Sequence, residues 1–178
     1  MNLSIITINY NGSERTIKLL KSLAEQTDKD FQTIVIDNAS EEADFNVLKN
    51  NCPTLQDGQF KLIRNDKNLG FSGGNNVGIH LALQNGSDWV LLLNNDTWVE
   101  SGFIASLKTK LSQLKGIVGL PLIEDGRTAY AGKIQWLKPT LAHVYTTNHL
   151  LHATNYYAIG GGVAIHKDVF EKIGFLNE

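Results

Sequence analysis

The fold of this chain follows from one stretch, Trp89-Val90-Leu91-Leu92-Leu93-Asn94-Asn95-Asp96. Its five consecutive apolar residues are too few for a helix and are flanked by turn-forming residues, so they predict a strand buried on both faces. The carboxyl ends of such strands line the ligand crevice of an open α/β sheet, which makes Asp96 the first candidate functional residue. Because Asn and Asp also favour turns and helix caps, a turn that caps the next helix is the alternative interpretation.

The rest of the chain repeats this pattern of a buried strand followed by an amphipathic helix. Ser13 and Ser40 are placed to cap the first two helices. Alternation of this kind predicts a mostly parallel sheet with helices on both faces. From residue 124 onwards the pattern loosens towards a mixed sheet, and a short helix is expected over 167–173. The predicted strands cover residues 3–8, 31–36, 60–63, 89–93, 116–123, 129–137 and 155–166.

The composition indicates one globular domain and excludes several classes of function. A chain of 178 residues, 42% of them hydrophobic, can bury a core without disulfides. Its formal net charge of −2 gives no electrostatic reason to bind nucleic acid. The single cysteine, Cys52, rules out an internal disulfide and a cysteine-built metal site, and its thiol is expected to be inert. The apolar run over 3–8 is too short to span a membrane, so a cytoplasmic location is expected.

Polar residues follow three of the predicted strands, at the edge where a parallel sheet brings them together. Thr7 and Asn9 end the first strand. Asp37 and Asn38 follow the second, and Asn94 to Asp96 follow the strand quoted above. Convergence of polar groups from separate strands suits a nucleotide, because base, ribose and phosphates need different partners.

A glycine-rich segment, residues 69–76, leads into a predicted helix. Gly70, Gly73 and Gly74 allow the backbone to approach a ligand, and the helix N-terminus offers free N–H groups to an anion. The segment has neither the Gly-x-Gly-x-x-Gly pattern of a dinucleotide site nor the Gly-Lys-Ser/Thr of a Walker A loop. A tight strand-to-helix turn without a ligand is the alternative interpretation.

Together these segments resemble the GT-A glycosyltransferases of family 2, and most closely the rhamnosyltransferase-like members. The resemblance implies a GT-A fold, which is a Rossmann-like α/β nucleotide-diphospho-sugar transferase fold with a mostly parallel mixed sheet flanked by helices. It also implies a single domain over 1–178, with a nucleotide-binding half at 1–123 and the start of an acceptor half at 124–178. The matching segments, in the family's order, are residues 4–11, 35–40, 68–78, 92–97 and 160–165.

The resemblance implies roles for the matching positions. The Asp37 carboxylate would accept a hydrogen bond from a uracil or thymine N–H, and segment 68–76 would cover the diphosphate and the donor sugar. Asp96 would hold a divalent cation, Mg²⁺ or Mn²⁺, while Asn94 occupies the first position of the family's Asp-x-Asp pattern. The implied donor-nucleotide residues are Thr7, Asn9, Tyr10, Asp37, Asn38, Asn68, Gly70, Gly74, Asn75 and Asn95.

The implied activity is transfer of a sugar from a UDP-sugar or dTDP-sugar donor to a carbohydrate acceptor with inversion, in cell-surface polysaccharide synthesis. dTDP-rhamnose is one candidate donor. Inverting members use a carboxylate general base, which is expected beyond Glu178, so the chain is expected to be a fragment and Glu178 itself is not assigned this role. Association with the inner face of the membrane is expected to depend on regions outside this chain.

Two other functions remain open from the sequence. One is a non-catalytic nucleotide-sugar-binding module in which Asn94 marks a weakened metal site. The other is a nucleotidyltransferase, although the loop after the first strand has only Gly12 where such enzymes carry a glycine-rich, Arg-containing loop. Ordinary packing is the alternative for the remaining candidates, which are His149 and His152 for a metal, Trp136, Tyr156 and Tyr157 for an acceptor sugar, and 160–162 for the donor sugar.

Overall fold

Strands and helices alternate from the N-terminus in a computed structural model that describes residues 1–53, 59–135, 140–145, 156–158 and 161–178. The helices are α1 (Ser13–Ala24), α2 (Glu42–Asn51), α3 (Gly70–Gln84), α4 (Phe103–Leu111) and α5 (Lys167–Ile173). The strands are β1 (Leu3–Asn9), β2 (Gln32–Asp37), β3 (Phe60–Arg64), β4 (Trp89–Leu93), β5 (Ile117–Gly119), β6 (Leu122–Glu124), β7 (Arg127–Ala129), β8 (Ala131–Gln135), β9 (Thr140–Val144), β10 (Tyr156–Tyr157) and β11 (Gly162–His166).

The central sheet has six strands in the order β3-β2-β1-β4-β11-β5. The pairs β1–β2, β2–β3 and β1–β4 are parallel, and β11 runs antiparallel to both of its neighbours. This arrangement confirms the predicted mostly parallel mixed sheet. Two smaller antiparallel sheets, one of β10, β8 and β9 and one of β6 and β7, are formed by strands that lie between β5 and β11 in the chain.

Apolar layers cover both faces of the central sheet. Because side chains alternate between the faces of a strand, Leu3 and Ile5 of β1 pack with α1, α2 and α4, whereas Ile6 packs with α3 and α5. Full burial of one Leu or Ile side chain stabilises the fold by roughly 1.5–3 kcal/mol. Cys52 packs beside the first layer, and burial raises the pKa of its thiol to about 11, so the thiol is protonated at neutral pH as expected.

The predicted strands of the second half are divided in the structure. Residues 116–123 form β5 and β6, because Pro121 between them lacks a backbone N–H for a ladder. The prediction over 129–137 corresponds to the end of β7 and to β8, and the prediction over 155–166 corresponds to β10 and β11. Residues 136, 137, 155, 159 and 160 lie outside the described residues.

Both predicted serine caps are wrong. α1 begins at Ser13 itself with Gly12 as its N-cap, and α2 has Glu41 as its N-cap, without a side-chain cap at either helix. The hydroxyl of Ser40 instead accepts hydrogen bonds from Asn11 N at 2.9 Å and Asn9 Nδ2 at 3.0 Å. The Ser40 hydroxyl is therefore used in tertiary contacts with Asn9 and Asn11, and it does not cap α2. Within the described ranges, no helix is long and apolar enough to cross a membrane.

Candidate functional site

A cleft of about 370 Å³ opens where β1 and β4 end, beside the N-terminus of α3. This volume lies within the roughly 300–1,000 Å³ typical of small-molecule sites. The position is the edge of the sheet at which polar residues were predicted to converge. Seven predicted site residues line the cleft, namely Tyr10, Asn38, Asn68, Gly70, Asn75, Asn95 and Asp96.

The other four predicted residues lie beneath the cleft rather than on its surface. Thr7 is 1% exposed, and Asn9 and Asp37 are both 0% exposed. Gly74 packs against β1, since a Cβ there would lie 3.0 Å from Ile8 Cδ1. In this structure these residues shape and support the cleft from below, and their direct contact with a nucleotide stays a prediction.

Asn38 joins the end of β2 to the loop that leads into α3. Its Nδ2 donates to Asn68 Oδ1 at 2.8 Å and to the Gly70 carbonyl at 3.1 Å. Its Oδ1 accepts from Asn65 Nδ2 at 3.0 Å and from the backbone N of Leu69 at 3.0 Å. The amide of Asn38 is therefore saturated, and it fixes the loop that forms one wall of the cleft.

Asp37 is held by partners on both carboxylate oxygens. Asn9 Nδ2 donates to Oδ1 at 2.9 Å, and the backbone N of Ser40 donates to Oδ2 at 3.2 Å. Arg64 Nε lies 3.4 Å from Oδ2 and compensates the buried charge. Because Asp37 is 0% exposed, a base N–H could reach this carboxylate only if the residues that cover it moved.

Asp44 of α2 extends the same polar network. Its Oδ2 accepts from Asn9 Nδ2 at 2.9 Å and its Oδ1 accepts from the backbone N of Ser13 at 3.0 Å. Burial alone would raise the pKa of Asp44, but the hydrogen bonds from Asn9 and Ser13 outweigh it and lower the pKa. The carboxylate is therefore ionised at neutral pH and anchors Asn9.

The residues after β4 form a closed turn. The backbone N and Oγ1 of Thr97 donate to the Asn94 carbonyl at 3.2 and 2.7 Å. α4 begins only at Phe103, so this turn does not cap the next helix. Among the described residues, the side chains of Asn94 and Asp96 have no hydrogen-bond or salt-bridge partner, and both line the cleft. The turn thus presents one free carboxylate and one free amide.

A divalent cation fits this donor set only with help from a ligand. Within the described parts of the chain, no three His, Cys, Asp or Glu side chains cluster closely enough to hold a metal ion. Mg²⁺ commonly binds through one or two carboxylates, with substrate phosphates and water completing its shell. Asp96 and Asn94 can supply two oxygen ligands, and the oxygens of a diphosphate could supply others.

Close packing explains two of the glycines around the cleft. A Cβ on Gly73 would lie 2.8 Å from Leu69 Cβ, and one on Gly78 would lie 2.6 Å from Ile6 Cγ2. Gly70 has a φ of +69°, which favours glycine where the loop enters α3. All but the first residue of the glycine-rich segment therefore lie in the first two turns of α3, where Gly74 packs against β1 and Gly70 and Phe71 line the cleft.

The remaining sequence candidates fall mostly elsewhere. His149, His152, Trp136 and Gly160 lie outside the described residues, and of Tyr156 and Tyr157 the structure describes the backbone of β10. A Cβ on Gly161 would lie 2.5 Å from Leu122 Cδ1, and one on Gly162 would lie 3.0 Å from Leu120 Cδ1. Close strand packing therefore accounts for these two glycines.

Sequence reasoning missed three residues at the site. Phe71 lines the cleft at the start of α3 with 58% of its surface exposed. Thr16 and Asp44 belong to the network beneath it. The signal for Thr16 was its helical spacing with Leu20 and Leu23, which continues an apolar stripe and predicts burial of the hydroxyl. Asp44 carried no such signal, since its partner lies 35 residues away in the chain.

The fold and the cleft define a class of protein. A mostly parallel sheet with a cleft at its strand ends, and an unpaired aspartate in the turn after a central strand, is the architecture of the GT-A glycosyltransferase fold. The chain belongs to glycosyl transferase family 2, whose family profile matches residues 4–174.

Individual relatives agree with this assignment. An uncharacterized glycosyltransferase of Haemophilus influenzae is 28% identical over 177 residues, which are 98% of this chain and 56% of that protein. The dTDP-rhamnosyl transferase RfbF of Shigella flexneri is 20% identical over 179 residues, covering 99% of this chain and 58% of that protein. The chain spans between 36% and 58% of the length of the curated relatives that it matches.

A solved structure shows the same fold. The crystal structure of GalNAc-T7 with UDP, GalNAc and Mn²⁺ is similar with a TM-score of 0.75 and 19% sequence identity. The match covers 99% of this chain and 37% of that chain. At this identity the likeness concerns the fold alone.

Proposed function

We propose that this chain forms the donor-binding part of an inverting glycosyltransferase, which moves a sugar from UDP or dTDP to a carbohydrate acceptor. The observation that carries the proposal is the charge of the cleft. Of the residues that line it in the described part of the chain, Asp96 alone is charged, and the others are amides, glycine, aromatic or aliphatic residues. A diphosphate placed there lacks a basic side chain to neutralise it, whereas a divalent cation held by Asp96 would do so.

Different elements around the cleft would bind different parts of the donor. The ends of β1 and β2, with Tyr10 and Asn38, would form the base and ribose side. The N–H of Gly70 donates to Asn68 Oδ1 at 2.8 Å, and the next backbone N–H groups of the first turn of α3, which have no partner within the helix, would favour phosphate oxygens at the cleft. Asn75 would then lie beside the donor sugar. We propose 1–123 as the nucleotide-binding half and 124–178 as the start of the acceptor half of one domain.

Two aromatic rings stand at the rim of the cleft. Tyr10 is 52% exposed and Phe71 is 58% exposed, and both line the cleft. Exposed aromatic rings at a polar site are suited to stack on a base or on the apolar face of a sugar. We assign Tyr10 to the base, because it follows β1 beside Asn38, and Phe71 to the donor sugar.

Asp96 and Asn94 would hold Mg²⁺ or Mn²⁺ against the diphosphate. When bound, the cation supplies Lewis-acid stabilisation of the charge that builds on the departing nucleoside diphosphate. The protein contributes the fixed turn after β4 and the free oxygens that it presents. Glu178 is not proposed as the general base, because its Oε1 accepts from Asn76 Nδ2 at 2.9 Å and it does not line the cleft.

Two comparisons support the choice of donor. RfbF of Shigella flexneri is named as a dTDP-rhamnosyl transferase, and GalNAc-T7 was crystallised with UDP and Mn²⁺. Both nucleotides carry a pyrimidine base with an N–H donor. We therefore propose a pyrimidine diphospho-sugar, with dTDP-rhamnose as one candidate, and a carbohydrate acceptor of a cell-surface polysaccharide.

Donor use can be tested by nuclear magnetic resonance. The full-length protein is incubated with Mn²⁺, a cell-surface polysaccharide acceptor and, in separate samples, dTDP-rhamnose, UDP-glucose, UDP-N-acetylglucosamine and GDP-mannose. The proposal predicts release of free nucleotide from a pyrimidine donor, and a product sugar whose anomeric configuration is opposite to that of the donor. Release from GDP-mannose alone, or retention of configuration, would contradict it.

A non-catalytic nucleotide-sugar-binding module is the second candidate. The observation in its favour is Asn94, which leaves the turn with one carboxylate where an Asp-x-Asp pattern has two. Such a module would bind the same donors with Mn²⁺ but release no nucleotide, even with the full-length protein and its acceptor. The two candidates therefore separate in the donor-release experiment.

A further inference from the structure

The hydroxyl of Thr16 lies between the turn after β4 and the polar network of Asn9, Asp37 and Asp44 beneath the cleft. Thr16 Oγ1 donates to Asn9 Oδ1 at 2.8 Å, and Asn95 Nδ2 donates to Thr16 Oγ1 at 3.0 Å. Thr16 is 0% exposed, although it belongs to α1 and to neither of the strands that form the cleft. One buried hydroxyl thus links the ends of β1 and β4.

The two carboxylates beneath the cleft set the direction of the hydrogen bonds that lead from Asn9 through Thr16 to Asn95. Asp37 and Asp44 are carboxylates, which accept only, so the NH₂ group of Asn9 must face them. Asn9 Oδ1 then faces Thr16 and takes its hydroxyl proton. The Thr16 oxygen is left as an acceptor, and among the described residues the NH₂ group of Asn95 satisfies it.

This order sets the orientation of the turn after β4. With its NH₂ group turned down to Thr16, Asn95 keeps its Oδ1 for the cleft, which the residue lines. The turn also packs closely on the start of α1, since a Cβ on Gly12 would lie 3.0 Å from Asn95 Nδ2. Asp96 follows directly, and its carboxylate has no partner among the described residues.

We propose that Thr16 is a positioning residue, which holds Asn95 and thereby presets Asp96 for a cation–nucleotide complex. The inference rests on the proposed donor site. It adds that the network reaching Asp37 and Asp44 supports cation affinity through α1, a helix whose residues do not line the cleft. Partners that orient metal-binding groups from behind commonly change metal affinity by about 10- to 100-fold when removed.

A purely structural role makes a different prediction. The Thr16 hydroxyl also lies 3.2 Å from the Gly12 carbonyl, a contact common for Thr in helices. If that contact were its purpose, loss of the hydroxyl would change stability and leave cation affinity unaltered. The readout must therefore be cation affinity in folded protein, measured apart from turnover.

Mn²⁺ binding can be followed by the electron paramagnetic resonance signal of the free ion, with UDP or dTDP present at saturation. Thr16→Val keeps the shape of the side chain and removes the hydroxyl, and we expect it to weaken Mn²⁺ binding about tenfold. Thr16→Ser restores the hydroxyl and is expected to stay within about threefold of the original protein. Thr33→Val is the matched control, because Thr33 is 0% exposed and its Oγ1 has no partner among the described residues.

The outcomes separate the inference from the proposed function. Absence of Mn²⁺ uptake by the original protein with either nucleotide overturns the proposed donor site and this inference with it. Uptake that is equal in the original protein and in folded Thr16→Val overturns the inference alone. If Thr16→Val does not fold, Asn95→Ala cuts the same hydrogen bond at an accessible turn, and unchanged Mn²⁺ affinity in that variant overturns the inference as well.

Discussion

Gly78 of α3 and Ile6 of β1 are in such close contact that a Cβ on Gly78 would lie 2.6 Å from Ile6 Cγ2. This contact lets α3 pack closely against the sheet, and the first turn of the same helix lines the cleft. Gly78→Ala must push the helix away, and we expect a loss of about 1–3 kcal/mol in the free energy of unfolding, measured with urea. Gly102→Ala is the control, since nothing lies within 4 Å of its Cβ position, and a change below about 1 kcal/mol is expected there. Equal losses in both variants would show that the close contact between Gly78 and Ile6 is not the cause of the lost stability.

Thr7 carries a buried hydroxyl without a hydrogen-bond partner among the described residues. An unsatisfied buried hydroxyl costs roughly 1–3 kcal/mol, so Thr7→Val should raise the free energy of unfolding by about 1 kcal/mol. Unchanged affinity for UDP or dTDP in calorimetric titrations would show that Thr7 supports the cleft from below without contacting the nucleotide. A more stable variant with clearly weaker nucleotide binding would instead show that the hydroxyl is used by the ligand.

Asp44 should account for part of the stability that the protein loses at acidic pH. Its folded-state pKa lies below the ordinary value of 3.8, so its stabilising effect is complete above that value and is lost as the pH falls through the folded pKa. Asp44→Asn should therefore be less stable than the original protein at pH 7, and this difference should shrink below about pH 4. Glu14→Gln, which removes an exposed carboxylate on α1, serves as the charge control. A difference for Asp44→Asn that stays constant down to pH 2.5 would refute the role of its carboxylate.

Tyr10 offers a test of the base side of the cleft. Stacking of a base on an aromatic ring contributes about 1–3 kcal/mol, so Tyr10→Ala should weaken UDP or dTDP binding by roughly 5- to 150-fold. Tyr10→Phe keeps the ring and should bind almost as the original protein does. Trp98→Ala removes a ring that is 61% exposed but does not line the cleft, and it should have no effect. Equal binding by Tyr10→Ala and Tyr10→Phe would place the base elsewhere.

The strand pattern predicted the sheet type and the edge that carries the site. Local apolar runs suffice for this, because a strand such as β4, with five buried residues, is determined by its own composition. The position of β11 between β4 and β5 was not predictable, since its pairing with β4 joins residues about 70 apart in sequence. The predicted helix caps were wrong for the same reason, because the Ser40 hydroxyl accepts hydrogen bonds from Asn9 and Asn11, which are distant from it in sequence.

The cleft was predicted more fully than its support. Asp96 and the residues that line the cleft lie near strand ends or in the glycine-rich segment, where sequence shows them. The apolar stripe of α1 predicts that Thr16 is buried but not that it contacts Asn9 and Asn95, and Asp44 on α2 has no local signal; these contacts form only when the helices pack on the sheet. Residues that shape a site from behind are set by tertiary contacts, and a local pattern does not contain them.

Asp96 and a nucleoside diphosphate are proposed to bind one cation together. Thermal unfolding of the original protein and Asp96→Ala with UDP or dTDP, with and without Mn²⁺, tests this joint binding. A ligand at about 100 times its dissociation constant adds about 2.7 kcal/mol of stability. We predict stabilisation of this order by nucleotide and Mn²⁺ together, a much smaller effect of either alone, and loss of the joint effect in Asp96→Ala. Equal stabilisation of both proteins, or stabilisation by nucleotide that is the same with and without Mn²⁺, would contradict joint binding of the cation by Asp96 and the nucleotide.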